Sequence, residues 1–321
     1  MAAFPAIGYA LSSEEHPPGA LVRYARLAEE RGFGYALISD HFHPWTDRQG
    51  HSPFVWTTIG AIAQATERLH LGTGVTCPTI RTHPAIVAQA AATAAALMPG
   101  RFFLGVGTGE NLNEHVLGDR WPEGAVRLEM LAEAIEVIRL LWQGGYQSHY
   151  GRHYTVEEAR IYTLPDELPD LMVAAGQPGA ARLAGEAGDG LISTSPDEGL
   201  VSEFAEAGGG GKPRIGQLTV CWAEDEAEAR KTALEWWPNA ALPGELGQEL
   251  ALPRHFEQAA QLVTEDDVAE KVVCGPDPAK HLELIERFAG AGFDHVYVHQ
   301  VGPDQEGFLD FYAREILERA G

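Results

Sequence analysis

LAEERGFGYALISDH, residues 27–41, packs a whole structural unit into one line: an amphipathic helix, a glycine, then a run of strand-forming residues that is apolar almost throughout. The pattern returns as LAGEAGDGLISTS at 183–195 and as IERFAGAGFDHVYVHQ at 285–300. In each copy a glycine (Gly32, Gly188, Gly292) is expected to take the left-handed conformation that closes a helix. Continuously apolar strands that alternate with helices mean a parallel sheet covered on both faces. The helices agree, because Leu21, Tyr24, Ala25 and Ala28 share one stripe and Leu128, Leu131, Ile135 and Ile138 another.

Working outward from these copies, strands are expected at 6–10, 36–39, 70–75, 102–107, 170–174, 191–194, 216–222 and 295–299. Eight strands with helices in most intervals suit a (β/α)8 TIM barrel with insertions, of the kind 321 residues can build as a single domain over 1–321. Two stretches break the alternation. Residues 147–163, rich in Tyr, His and Gly, read as an inserted hairpin, and 236–262 as an inserted segment over the active end.

Composition removes several function classes. With 45% hydrophobic and 21% charged residues and a mean hydropathy of −0.16, the chain is globular. The 23 Lys+Arg against 46 Asp+Glu leave a net charge of −23, a surface that repels nucleic acid and anionic membranes. Only four residues are lysines: Lys212, Lys231, Lys271 and Lys280. Cys77, Cys221 and Cys274 fit neither a disulfide framework nor a zinc site, so a reducing cytoplasm is the expected compartment. No leader-like segment and no long apolar run is present in the sequence. The expected partners are a small-molecule substrate and a second copy of the chain in a homodimer.

In a parallel barrel the chemistry sits where strands end. The second strand runs into Ser39-Asp40-His41-Phe42-His43-Pro44-Trp45, for which three readings stand open: an ordered loop satisfied by local hydrogen bonds, a metal site on His41 and His43 as in barrel hydrolases, or an imidazole base oriented by a carboxylate. A metal hydrolase would need further ligands at later strand ends, and the last strand ends in His299 and Gln300 with no Asp before Asp304; no metal is expected. Gly107-Thr108-Gly109-Glu110 follows the fourth strand and sets one ionisable group in the barrel mouth, where desolvation would raise its pKa. Ala174-Ala175-Gly176, ahead of a helix starting near Pro178, offers N–H groups to a phosphate or makes a plain tight turn.

Four segments together, SDHFHPW (39–45), LGTGVTCPTIRTHPAIVAQA (71–90), PGRFFLGVGTGENLNE (99–114) and MVAAGQPGAARLAGEAGDGLIST (172–194), resemble the deazaflavin-dependent branch of the luciferase-like oxidoreductases. That branch includes the F420-dependent glucose-6-phosphate dehydrogenases and the F420-dependent secondary alcohol dehydrogenases. The likeness runs nearly end to end and is weakest over 196–262. It implies coenzyme F420, with His41 as the base that takes the alcohol proton while hydride passes to C5 of the deazaflavin. Glu110 is implied at N1 as proton donor. Trp45 and Glu14, the latter in Ser13-Glu14-Glu15, would line the substrate pocket, and Asp40 would contact the ring. Gly74-Val75 falls at a cis non-proline bond of such proteins. Gly107, Thr108, Asn113, Ala174, Ala175, Gly176 and Gln177 match further coenzyme positions.

The departures from that pattern bear on the substrate. Thr194 matches a sugar-phosphate threonine, but the lysine expected three residues later is Asp197. Two more lysine positions fall near Thr219 and Gly247, and an arginine near Lys271. A neutral alcohol or unphosphorylated sugar is therefore expected, with glucose 6-phosphate as the alternative, and with a coenzyme-driven reductase or a flavin monooxygenase behind both. Trp56, Trp222, Trp236 and Trp237 are candidates for the pocket wall.

Overall fold

The computed structural model describes residues 4–318. Eight parallel strands close on themselves: β1 (Ala6–Leu11), β2 (Tyr35–Ile38), β3 (His70–Thr73), β4 (Phe102–Val106), β5 (Leu171–Ala174), β6 (Gly190–Ser193), β7 (Arg214–Cys221) and β8 (His295–Gln300). Closure is shown by β1, which pairs with β2 (Gly8↔Tyr35 to Leu11↔Ile38) and with β8 (Ala6↔His295 to Ala10↔His299), and by β7, which pairs with both β6 and β8. The chain is a (β/α)8 TIM barrel. A two-residue strand, Val273–Cys274, adds to β7 outside the ring.

Side-chain alternation divides the core in two. Ala10, Leu37, Phe103, Met172, Ile192, Ile215 and Tyr297 face inward and fill the barrel. Gly72 makes room for this packing: a Cβ there would lie 2.1 Å from the Phe103 ring. The opposite strand faces meet the helices. Leu21, Tyr24, Ala25 and Ala28 are buried on helix Pro18–Glu30, and Leu131, Ile135 and Ile138 on helix Gly124–Trp142, with Leu128 partly buried.

Gly32 and Gly292 close their helices with φ of +95° and +99°, as their place in the repeat requires. Gly188 does not. It is extended, with φ −85° and ψ 162°, and its need for glycine is steric: a Cβ would stand 2.7 Å from the Ala184 carbonyl oxygen and 3.0 Å from Val173.

Strands Gln147–Tyr150 and Thr155–Ala159 pair antiparallel outside the barrel. Between Trp236 and Leu262 the chain forms short helices, among them Leu246–Glu249 and Pro253–Ala259. Hydrogen bonds fasten this stretch to loops at the strand C-termini: Gln49 Nε2 to the Trp236 carbonyl at 2.9 Å, and Asn111 Nδ2 to the Glu249 carbonyl at 2.9 Å. Two of the four tryptophans considered for a pocket wall belong to the core instead. Trp56 and Trp222 pack into the outer layer, against Phe102 and Phe311.

Candidate active site

Loops after β1, β2 and β4 bring three ionisable side chains into line. Ala10 and Leu37 face the barrel interior, so Ser12 and Ser39, two residues on, follow on the same side. Both hydroxyls donate to Glu14 Oε2, at 2.9 and 2.8 Å. Glu14 Oε1 lies 3.2 Å from His41 Nδ1, and His41 Nε2 lies 4.0 Å from Glu110 Oε2. Side-chain exposure rises along the line, from 2% at Glu14 through 11% at His41 to 31% at Glu110, so the imidazole spans from a sealed carboxylate to an open one.

Burial acts to raise the Glu14 carboxyl, but His41, the residue's own backbone N–H and the Ser39 and Ser12 hydroxyls outweigh it. The net position is below the ordinary carboxylate value. His41 Nδ1 meets the His43 carbonyl at 3.3 Å, which fixes the ring, and the ionised Glu14 beside it is placed to stabilise the positive charge that a base acquires on taking a proton. Trp45 covers the other side of His41, ring centre to ring centre 5.0 Å, and is itself packed edge-on against Phe256 at 5.2 Å.

Beneath this line runs a buried charge cluster. Arg81, from the loop after β3, donates to Asp40 Oδ1 at 2.9 Å and to the Asp40 carbonyl at 3.2 Å, while Thr76 Oγ1 donates to Asp40 Oδ2 at 2.8 Å. The Arg81 backbone N–H and Nε both reach Glu114, at 2.7 and 3.4 Å. Burial would lower the guanidinium, but the two carboxylates more than reverse this. Glu114 goes the other way: burial raises it, and Arg81, shared with Asp40, only partly offsets the rise. Glu114, four residues beyond Glu110, is thus a carboxyl at the mouth that burial raises.

Asn113, 1% exposed, couples the same loops. Its Oδ1 accepts from the Phe42 and His43 N–H groups at 2.9 and 3.2 Å, and its Nδ2 donates to Glu110 Oε2 at 3.3 Å. The side-chain oxygens of Asp40 and Asn113 are therefore engaged within the protein. The Gly74–Val75 peptide is cis, and Val75 packs against Gly107, where a Cβ would lie 2.7 Å from it. Thr108 lies beside Gly107 in the same loop, half-buried. Across the mouth, Ala174 ends β5 and buried Ala175 follows it, Gly176 and Gln177 are exposed, and helix Pro178–Ala187 opens without a side-chain cap. Thr194 is exposed just past β6.

His41 and His43 do not converge. His43 Nδ1 bonds the Leu112 carbonyl at 2.9 Å and its ring stacks on His115 at 5.8 Å, and among the described residues no three His, Cys, Asp or Glu side chains form a metal-holding group. Sequence reasoning missed Arg81 and Glu114. The available signal was a single basic residue in an otherwise uncharged loop after β3.

The luciferase-like monooxygenase family model matches residues 1–295. The F420-dependent glucose-6-phosphate dehydrogenase of Beutenbergia cavernae is 38% identical, covering 98% of this chain and 96% of the relative. That of Microbacterium testaceum is 37% identical over 97% and 96%. Among solved structures, an F420-dependent secondary alcohol dehydrogenase in complex with an F420-acetone adduct superposes with a TM-score of 0.91 at 30% identity, covering 98% of each chain. A coenzyme F420 dependent tetrahydromethanopterin reductase from Methanopyrus kandleri shares the fold, with a TM-score of 0.81 at 21% identity over 99% of this chain and 100% of its own.

Two predictions rest on this geometry. Arg81→Met leaves two buried carboxylates without their cation and is expected to cost about 3–5 kcal/mol of stability, read by chemical denaturation; a loss under about 1 kcal/mol contradicts the clamp. Glu14 has a folded pKa below its unfolded one, so its contribution is full above the unfolded value, near 4.3, and is lost as pH falls through the folded value. The stability gap between wild type and Glu14→Gln should therefore narrow as pH drops below about 4; a gap that widens on acidification refutes the assignment.

Proposed function

The chain belongs to the luciferase-like monooxygenase family, and we propose that it is a dehydrogenase that uses coenzyme F420 to oxidise the carbinol of a neutral alcohol or unphosphorylated sugar. The observation that carries this is the Glu14–His41 pair at the barrel mouth, with Nε2 turned to the open side.

The residues fit the coenzyme. The uncapped start of helix Pro178–Ala187 leaves first-turn N–H groups for a phosphate, and Gly176 presents bare backbone, with nothing within 4 Å of where a Cβ would stand. Gly74, Val75, Gly107, Thr108, Ala174, Ala175, Gly176 and Gln177 would hold it. Asp40 and Asn113 would contribute through the loops they fix. Bound coenzyme F420 supplies a two-electron hydride acceptor.

The protein's own work is proton handling and positioning. His41 Nε2 takes the hydroxyl proton of the substrate as its carbinol gives up hydride, and Glu14 stabilises the imidazolium that results. Trp45 excludes water from one side of the imidazole. Glu110 holds a second proton at its carboxyl, oriented by Asn113 Nδ2.

Charge at the mouth supports a neutral substrate. Asp197 caps helix Glu198–Phe204, accepting from the Gly199 and Leu200 N–H groups. Thr219 and Gly247 are uncharged, and Lys271 is the one cation at the positions where a phosphate site is expected. Arg48 is paired with Glu235, and Arg127 is held by Glu249 and Gln248. A phosphate dianion brought here would face Glu14 and Glu110, and the guanidiniums of Arg48, Arg81 and Arg127 are already engaged with carboxylates. The names of the curated relatives favour the second reading, glucose 6-phosphate.

The exposed side chains of Phe54, Ile86 and Leu117 support a homodimer, and three free, buried thiols support a reducing compartment. Among the described residues no helix is long and apolar enough to cross a membrane.

His41→Ala should lower the rate of coenzyme reduction about 10²–10⁴-fold while the coenzyme Kd, measured by fluorescence titration, stays within about tenfold; unchanged turnover removes His41 from the mechanism. For wild type, kcat/KM for glucose 6-phosphate should fall below that for glucose, and the reverse order would establish the second reading.

A further inference from the structure

A second imidazole–carboxylate pair stands beside the first and has no role in the proton transfer just described. In β8 Tyr297 faces the barrel interior, so His299, two residues on, projects inward at the C-terminal mouth. Its Nε2 meets Glu15 Oε2 at 2.6 Å, and Glu15 Oε1 accepts from the Gly302 N–H at 2.8 Å. The edge of the Trp237 ring system lies against the imidazole, centre to centre 4.5 Å.

The arrangement repeats that of Glu14, His41 and Trp45 on the other side of β1. Consecutive carboxylates, Glu14 and Glu15, diverge to imidazoles from β2 and β8, each covered by an indole. Gln49 ties the two walls together, accepting from the Trp45 N–H at 2.8 Å and donating to the Trp236 carbonyl at 2.9 Å. Strands β2 and β8 flank β1, which sets the two imidazoles on strands roughly 10 Å apart.

One nitrogen of the second pair is left over. His299 Nδ1 has no hydrogen-bond partner among the described residues, yet it is not one of the fully sealed unpartnered atoms. With Nε2–H given to the Glu15 carboxylate, a neutral imidazole presents Nδ1 as an acceptor. Anchoring the Gly302 turn needs only Glu15. An imidazole with a free acceptor in a partly apolar mouth is matched to a hydroxyl.

We propose that Glu15, His299 and Trp237 form a second hydroxyl-binding subsite, so that the substrate is a neutral polyol of the sugar or cyclitol class, not a monofunctional alcohol. This rests on the reading of the mouth as a carbinol-oxidising site. One hydroxyl is oxidised at His41, a second donates to His299 Nδ1, and the C–H face of the ring packs on the indoles.

The test compares D-glucose and myo-inositol with 2-propanol, in wild type and in His299→Gln. In wild type at least one polyol should exceed 2-propanol in kcat/KM by about tenfold or more, and His299→Gln should cut that ratio by about tenfold. A ratio unmoved by the substitution, or 2-propanol equal to both polyols in wild type, overturns the subsite. If no alcohol is oxidised, the dehydrogenase reading has failed and binding decides the subsite separately: quenching of tryptophan fluorescence by either polyol, weakened in His299→Gln, supports it, and no quenching by either overturns it. Should His299→Gln not fold, Trp237→Leu serves in its place: it removes the indole against the imidazole, the same loss of polyol preference is expected, and an unmoved ratio overturns the subsite.

Discussion

Charge burial at the barrel mouth is the constraint on which the rest depends. Arg81 stands between Asp40 and Glu114, and the three come from loops after β3, β2 and β4. Those loops also carry the cis Gly74–Val75 bond, His41 and Glu110. A buried carboxylate is tolerable only with a cation or several donors, so each loop is held to the others by the need to satisfy Asp40 and Glu114. Asn113 adds a neutral tie between the His41 loop and Glu110. The groups that do chemistry are thereby fixed by groups that do none.

Much of the fold was legible because a parallel barrel writes itself locally. Helix, glycine and apolar strand recur within about fifteen residues, and the strand positions follow from that period. Gly188 shows the limit of the reading, since its glycine is needed by Ala184 and Val173, contacts that a helix-closing rule does not contain. In the site, His41, Glu14 and Glu110 were visible as motif residues. Arg81 was not, because its partners Asp40 and Glu114 lie 41 and 33 residues away. Glu15 and His299 are 284 residues apart, and only closure of the ring brings β8 beside β1. Sequence order names residue types at strand ends, and topology decides which ends are neighbours.

The net charge of −23 first served to exclude nucleic acid and anionic membranes. In the structure the acidity has a local form: Glu14, Glu15, Asp40, Glu110 and Glu114 gather at one end of the barrel, where Arg81 and Arg127 are already paired with carboxylates. Such a mouth favours a neutral substrate over an anionic one, and it sets two imidazoles, His41 and His299, each against a carboxylate.

The central claim is that this mouth moves a hydride from a carbinol to a deazaflavin. The most direct measurement follows the visible absorbance of oxidised coenzyme F420 with wild-type protein and a panel of neutral polyols and alcohols under anaerobic conditions, with FMN in a parallel series. The account predicts bleaching of coenzyme F420 that depends on both protein and substrate, and no reduction of FMN. Absence of bleaching across the panel, or reduction of FMN in place of coenzyme F420, would contradict it.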